Sequence, residues 1–96
     1  MSPPSLPQLD GRGTRWLQTK VEQFLADHGV TAACAWGTEP DTATTLYLRL
    51  AGDPEVKALS FRSTMIASCG SGLYAAQSNA LLFIRRTLTK MGILRT

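Results

Sequence analysis

Residues 44–50 alternate apolar and polar side chains, and this alternation constrains the fold more than any other feature of the chain. Successive side chains of a strand point to opposite faces, so the pattern predicts a strand that is buried on one face only. Other elements must therefore cover the apolar side, and the opposite sheet face is expected to stay open. The apolar set is Leu46, Leu48 and Leu50, and the polar set is Thr45, Tyr47 and Arg49.

Two more strands are predicted, one before and one after this segment. Residues 30–36 begin with a β-branched side chain, continue with small and aromatic ones, and precede a turn-rich segment at 37–42. A turn signature at 52–55 precedes the third strand, which is predicted over residues 56–62. Because the connection between the second and third strands is so short, we expect them to form an antiparallel hairpin.

Helical periodicity marks both ends of the chain, over residues 14–28 and 73–91. Apolar side chains recur there at spacings of three and four residues. The first stripe is Leu17, Val21, Phe24, Leu25 and His28, and the second is Leu73, Ala76, Ala80, Leu81, Ile84, Leu88 and Met91. The expected caps are Thr14 and Ser71 at the starts and Gly29 and Gly92 at the ends.

Residues 63–72 have no clear periodicity. Thr64, Met65 and Ile66 could prolong the third strand, whereas residues 68–72 are rich in glycine and serine and are predicted to form a loop.

These elements predict an α+β fold with the order α-β-β-β-α. The economical arrangement is a two-layer sandwich, in which two helices cover one face of a three-stranded antiparallel sheet. A chain of 96 residues has room for one core, so residues 12–96 are interpreted as a single domain. Residues 1–11 carry three prolines and are predicted to form an irregular arm.

The composition indicates a globular chain of modest charge. Hydrophobic residues make up 44% and charged residues 18%, and the net charge of +3 lacks the dense basic stripe of a strong phosphate binder. Cys34 and Cys69 have no metal-ligand spacing and are interpreted as buried free thiols. The first residues do not resemble a secretory signal, and residues 73–84 are too short an apolar run to span a membrane, so a cytoplasmic location is expected.

The open sheet face is the first candidate site. Tyr47 could stack on a base or on a partner side chain, while Arg49 and Arg62 could clamp a phosphate or a carboxylate. Either Arg62 or Lys57 is expected beside Tyr47 and Arg49, depending on the strand register. A solvated sheet face would explain the same residues. Trp36 is interpreted as a core residue, with an interface anchor as the alternative.

The second helix is the next candidate. Tyr74, Leu82 and Phe83 lie outside its apolar stripe, which predicts a partner or homodimer surface through Leu82 and Phe83. Cations follow at its carboxyl end, where they would form a basic patch or only offset the helix dipole. These cations are Arg85, Arg86, Lys90 and Arg95.

Two weaker candidates complete the set. The segment around Cys69 could hold an anion or a reactive thiol at a helix start, but an ordinary glycine-containing loop explains it equally. His28 is interpreted as a helix-end residue, because one histidine makes no metal site.

The sequence therefore predicts a non-enzymatic binding protein without cofactor or metal. An adaptor or inhibitor that docks on a protein or protein complex is favoured, of a kind common on mobile elements. The alternative is a nucleic-acid-binding module that uses the open sheet face or the basic end of the second helix. The predicted partner-binding residues are Tyr47, Arg49, Arg62, Leu82, Phe83, Arg85 and Arg86.

Overall fold

One helix precedes the sheet and two helices follow it. The computed structural model describes residues 11–94, so nearly all of the predicted amino-terminal arm lies outside the described residues. The elements are α1 (Arg12–Asp27), β1 (Ala32–Trp36), β2 (Thr45–Leu50), β3 (Val56–Ser60), α2 (Ser63–Gly70) and α3 (Tyr74–Lys90). The α+β class and the three-stranded antiparallel sheet are confirmed, but the predicted element order is incomplete because it lacks α2.

β2 is the central strand of the sheet and pairs antiparallel with both neighbours. Tyr47 lies between Ala35 and Ala58, and Leu48 lies between Cys34 and Lys57. The hairpin of β2 and β3 is therefore confirmed. β3 ends at Ser60, two residues earlier than predicted.

A single apolar core joins the sheet to the helices. Fully buried side chains come from the sheet and from all three helices: Leu17, Val21, Leu46, Leu48, Ile66, Ile84 and Leu88. Each contributes roughly 1.5–3 kcal/mol of transfer free energy relative to an exposed position. The prediction that the Leu46 and Leu48 face of β2 is buried is confirmed, while Leu50 near the sheet end is half-buried.

α2 replaces the predicted continuation of β3 and the predicted loop. Ile66 and Cys69, three residues apart, share its buried face. α1 approaches this helix without a side chain between the backbones, because Gly13 and Gly70 lie at the crossing. A Cβ on Gly70 would lie 2.7 Å from the backbone nitrogen of Gly13. The packing of α2 against α1 therefore depends on these two glycines.

All three helices end in the same way. The second residue beyond each carboxyl end is a glycine with positive φ, at Gly29, Gly72 and Gly92. In each case the next amide donates to a carbonyl five residues back, as Val30 does to Leu25 at 2.8 Å. The predicted ends at Gly29 and Gly92 are confirmed.

The helix starts differ from the predicted ones. Gly11 is the residue before α1, and the hydroxyl of Thr14 donates to the carbonyl of Gly11 within the first turn. Leu73 precedes α3, and the hydroxyl of Ser71 donates back to the carbonyl of Ala67 in α2. Neither predicted side-chain cap is present.

Candidate functional site

The carboxyl-terminal half of α3 exposes one large apolar side chain together with three cations. We call this surface the basic face of α3; it consists of Leu82, Arg85, Arg86, Thr89 and Lys90, which line one shallow groove. Leu82 is 47% exposed, and it lies on the helix side opposite the buried Ala80, Ile84 and Leu88. The helix therefore presents a leucine to solvent one turn before a pair of arginines.

The cations of the basic face have no carboxylate partner among residues 11–94. α3 contains no acidic residue, and the ion pair formed between described side chains joins Lys57 to Glu55 at 3.4 Å. Arg85 and Arg86 are both exposed, as is Lys90 in the last turn. Lys90 is favoured there by the helix dipole, whereas the two arginines lie a turn farther from that end.

Phe83 does not belong to this exposed surface. Its ring packs edge-on against Phe61, with the ring centres 5.4 Å apart, and its side chain is half-buried. The predicted pair of Leu82 and Phe83 is thus divided between surface and interior. The helical spacing explains the difference, since consecutive residues point about a hundred degrees apart.

The open sheet face carries Tyr47 and Arg49 on the central strand, as predicted. Tyr47 is half-buried between two alanines, and Arg49 is exposed and lies opposite Val56, which is 56% exposed. Other side chains on this face are small or hydroxylic: Ala33, Ala35, Thr45, Ala58 and Ser60. Among the described strands, only the central one places long side chains on this face.

The predicted cationic neighbours of Tyr47 lie elsewhere. The register places Lys57 opposite the buried Leu48, on the core face of the sheet. Arg62 is exposed but precedes α2, two residues beyond the end of β3. Arg49 is therefore the one cation that the described strands place on the open face.

Trp36 joins the end of β1 to α1. Its indole nitrogen donates to the side-chain oxygen of Gln18 at 3.1 Å, and its ring centre lies 5.8 Å from that of Phe61. The side chain is half-buried and packs against the core. Its contacts match the predicted core role.

The thiols lie in positions that disfavour reactivity. Cys69 is buried in α2, and burial raises the pKa of its thiol above the ordinary value. Burial also raises the pKa of Cys34, and the nearby carboxylate of Glu22 adds to the shift. Both thiols are therefore neutral near pH 7, which is opposite to what an activated nucleophile needs. Since Cys69 belongs to a helix near its carboxyl end, the predicted helix-start anion site is not formed there.

His28 is exposed next to the end of α1, and its Nδ1 lies 2.9 Å from the carbonyl oxygen of Phe24. Within residues 11–94, no group of three or more potential metal ligands comes together. No helix in this part of the chain is long and apolar enough to cross a membrane.

Two exposed apolar residues lie at the start of α3, and the position of Leu73 differs from its prediction. Leu73, predicted in the core stripe, is 56% exposed because it precedes the helix, and the adjacent Tyr74 is 81% exposed. Gly72 signals this position, since it ends α2 and so places Leu73 in a connection rather than in a helix.

Comparison of the chain with protein-family models, with curated proteins and with solved structures yields no match.

Proposed function

We propose that this chain is a non-enzymatic binding protein, an adaptor or inhibitor, that docks on a protein partner through the basic face of α3. The observation that carries the proposal is the exposed Leu82 beside Arg85 and Arg86, whose charges have no partner among residues 11–94. The partner surface that fits this face carries carboxylates next to an apolar pocket.

An exposed apolar side chain beside several cations has the composition of a small binding site. Burial of an exposed leucine in a partner pocket supplies the apolar contribution, and arginine is among the residues enriched in interfaces. The guanidinium groups can form paired hydrogen bonds to carboxylates of the partner. Opposite charge also speeds the encounter of the two proteins.

The sheet and helices are proposed to form two layers, with the helices on the Leu46 and Leu48 side of the sheet. In this arrangement the Tyr47 and Arg49 face is free to serve as a second contact surface. We assign it the smaller share of the binding energy, because its small side chains bury little area.

Nucleic acid is the main alternative ligand for the same cations. Phosphates would pair with Arg85 and Arg86 equally well, but they offer no pocket for Leu82. The exposed leucine at the start of the basic face therefore favours a protein.

Capture from cell extract on the immobilised chain, with and without nuclease, tests the proposal. The captured protein should stay bound to the chain after nuclease treatment. The affinity of the partner for the chain should fall by roughly tenfold or more with Leu82→Glu and with the double change Arg85→Glu and Arg86→Glu. Binding of the purified partner, measured by calorimetry, should fall with rising salt.

Two matched controls lie outside the basic face. Tyr74→Glu places the same charge on an exposed aromatic residue at the other end of α3, and Arg15→Glu reverses an exposed cation on α1. Both should leave capture unchanged. Release by nuclease would assign the surface to nucleic acid, and equal capture by all variants would exclude the basic face as the site.

A further inference from the structure

We propose that the free edge of β3 is a self-association edge, at which two copies of this chain pair antiparallel to form one continuous six-stranded sheet. The two-fold axis passes through Ala58. This surface is separate from the basic face of α3, and the inference goes beyond the proposed function.

The hydrogen-bond pattern determines which backbone groups of β3 point outward. The amide of Phe61 donates to the carbonyl of Thr44 at 3.0 Å, so these residues form a hydrogen-bonded pair. Such pairs alternate along an antiparallel ladder, so Leu59 and Lys57 also bond to β2. The N–H and C=O groups of the remaining strand residues, Val56, Ala58 and Ser60, therefore point away from β2.

These outward groups have no backbone partner within residues 11–94. The amides of Val56, Ala58 and Ser60 take part in none of the turn or loop hydrogen bonds there. Their side chains are all exposed, and none carries a charge. Natural edge strands are commonly protected by outward charges, prolines or bulges, and β3 has none of these at its outward positions.

The other edge of the sheet is not equivalent. β1 lies beside α1, since the indole of Trp36 bonds to Gln18 and the carboxylate of Glu22 lies near the thiol of Cys34. The outward backbone groups at the β1 edge belong to Ala32, Cys34 and Trp36, whose side chains are half-buried on the core face, whereas those of β3 belong to exposed residues. The open edge is therefore that of β3.

The charges at the two ends of β3 favour a second copy over an unrelated strand. Asp53 and Glu55 precede the strand, and Arg62 follows it. In antiparallel self-pairing about Ala58, Val56 lies opposite Ser60 of the other copy, and Pro54 lies opposite Arg62. The arginine of each copy then lies at the strand end that carries Asp53 and Glu55 in the other copy, so groups of opposite charge meet at both ends of the interface. Glu55 also pairs with Lys57 of its own chain on the core face of the sheet.

The axis at Ala58 gives an unusually selective test. Ala58→Glu and Ala58→Lys each place two like charges directly opposite each other, which disfavours pairing. Each variant should sediment as the 10.4 kDa monomer, whereas the unaltered chain should double its mass between micromolar and millimolar concentration. An equimolar mixture of the two variants should restore the dimer, which also shows that both are folded.

A charge exchange tests the ends of the strand. Arg62→Glu and Glu55→Arg should each raise the dimer dissociation constant by roughly tenfold, and the double variant should return it toward that of the unaltered chain.

Two controls separate this edge from other surfaces. Ala33→Glu introduces the same charge on the open face of β1, and Leu82→Glu alters the basic face; both should still dimerise. The proposal is overturned if the unaltered chain stays monomeric at millimolar concentration, if the Ala58 variants dimerise alone, or if Leu82→Glu abolishes the dimer.

Discussion

Gly13 allows the backbones of α1 and α2 to touch. A Cβ at this position would overlap the carbonyl oxygen of Ile66 and also its side chain. The obstruction on one side is backbone, which cannot rotate away as a flexible side chain would. Helix propensity favours alanine over glycine by about 1 kcal/mol, so at this position packing and propensity oppose each other.

We expect packing to prevail at Gly13. Gly13→Ala should lower the free energy of unfolding by about 1–3 kcal/mol, the usual cost of overpacking, despite the better helix former. Urea denaturation followed by circular dichroism measures the change. Thr19→Ala, an exposed substitution on the same helix, is the control and should be neutral or slightly stabilising. Equal stability of Gly13→Ala and the unaltered chain would show that α1 and α2 do not meet there.

At the scale of elements, the first and last helices, α1 and α3, and the three strands could be predicted because their sequence patterns are local. Alternation of the leucines in β2 and the stripe of α1 each reflect burial of one face. The register of β3 could not be predicted, and with it the position of Lys57, because pairing depends on backbone contacts between strands.

α2 was missed because it has only eight residues and little amphipathic pattern. A clearer signal lay just beyond it: Gly72 is followed by an apolar residue, as Gly29 and Gly92 are at the ends of the two predicted helices. The same glycine-apolar pair ends all three helices, since glycine adopts positive φ without strain and the amide of the next residue donates to a carbonyl of the last turn. Read as a helix end, this pair would have indicated a helix before it.

Substitution at Gly72 tests this interpretation. Gly72→Ala should destabilise the fold by roughly 1 kcal/mol, because φ of +82° is unfavourable for a side chain even though no atom lies in its way. Gly72→Asn should cost less, since asparagine tolerates this conformation better. Thermal denaturation of the two variants shows which is the more stable. If alanine were the better tolerated of the two, the helix end would not be stabilised as described.

At the scale of the whole molecule, charge is divided along the chain. All seven acidic residues precede Val56, and six of the ten cations follow Glu55. α2 and α3 therefore form a part of the molecule without a negative side chain. The individual cations of the candidate site were predictable from this sequence, but their freedom from partners was not, because it depends on which turns fold near α3.

Unpartnered cations should cost the folded chain a little stability. Arg86 and Lys90 are one turn apart on α3, and like charges at that spacing destabilise a helix by about 0.2–0.5 kcal/mol. Arg86→Gln should raise the unfolding free energy by a similar amount at low salt, and the gain should vanish near 1 M salt, where the screening length is about 3 Å.

Lys20→Gln is the contrasting control for that measurement. The ammonium of Lys20 lies 5.5 Å from the ring centre of Trp16, so its loss should slightly weaken the fold. If Arg86→Gln destabilised the fold as Lys20→Gln does, Arg86 would make a stabilising contact within the chain and would not be free to bind a partner.

The glycine crossing of α1 and α2 also has a consequence for synthesis. The whole sheet separates the two helices along the chain, so their contact is among the least local in the fold. A growing polypeptide emerges with its amino-terminal end first. Leu17, Val21 and Leu25 of α1 therefore lack much of their packing until the chain up to Gly70 has been made. The nascent chain thus carries an exposed apolar stripe for most of its translation, and chaperones that recognise such stripes would meet α1 before any other part of the protein.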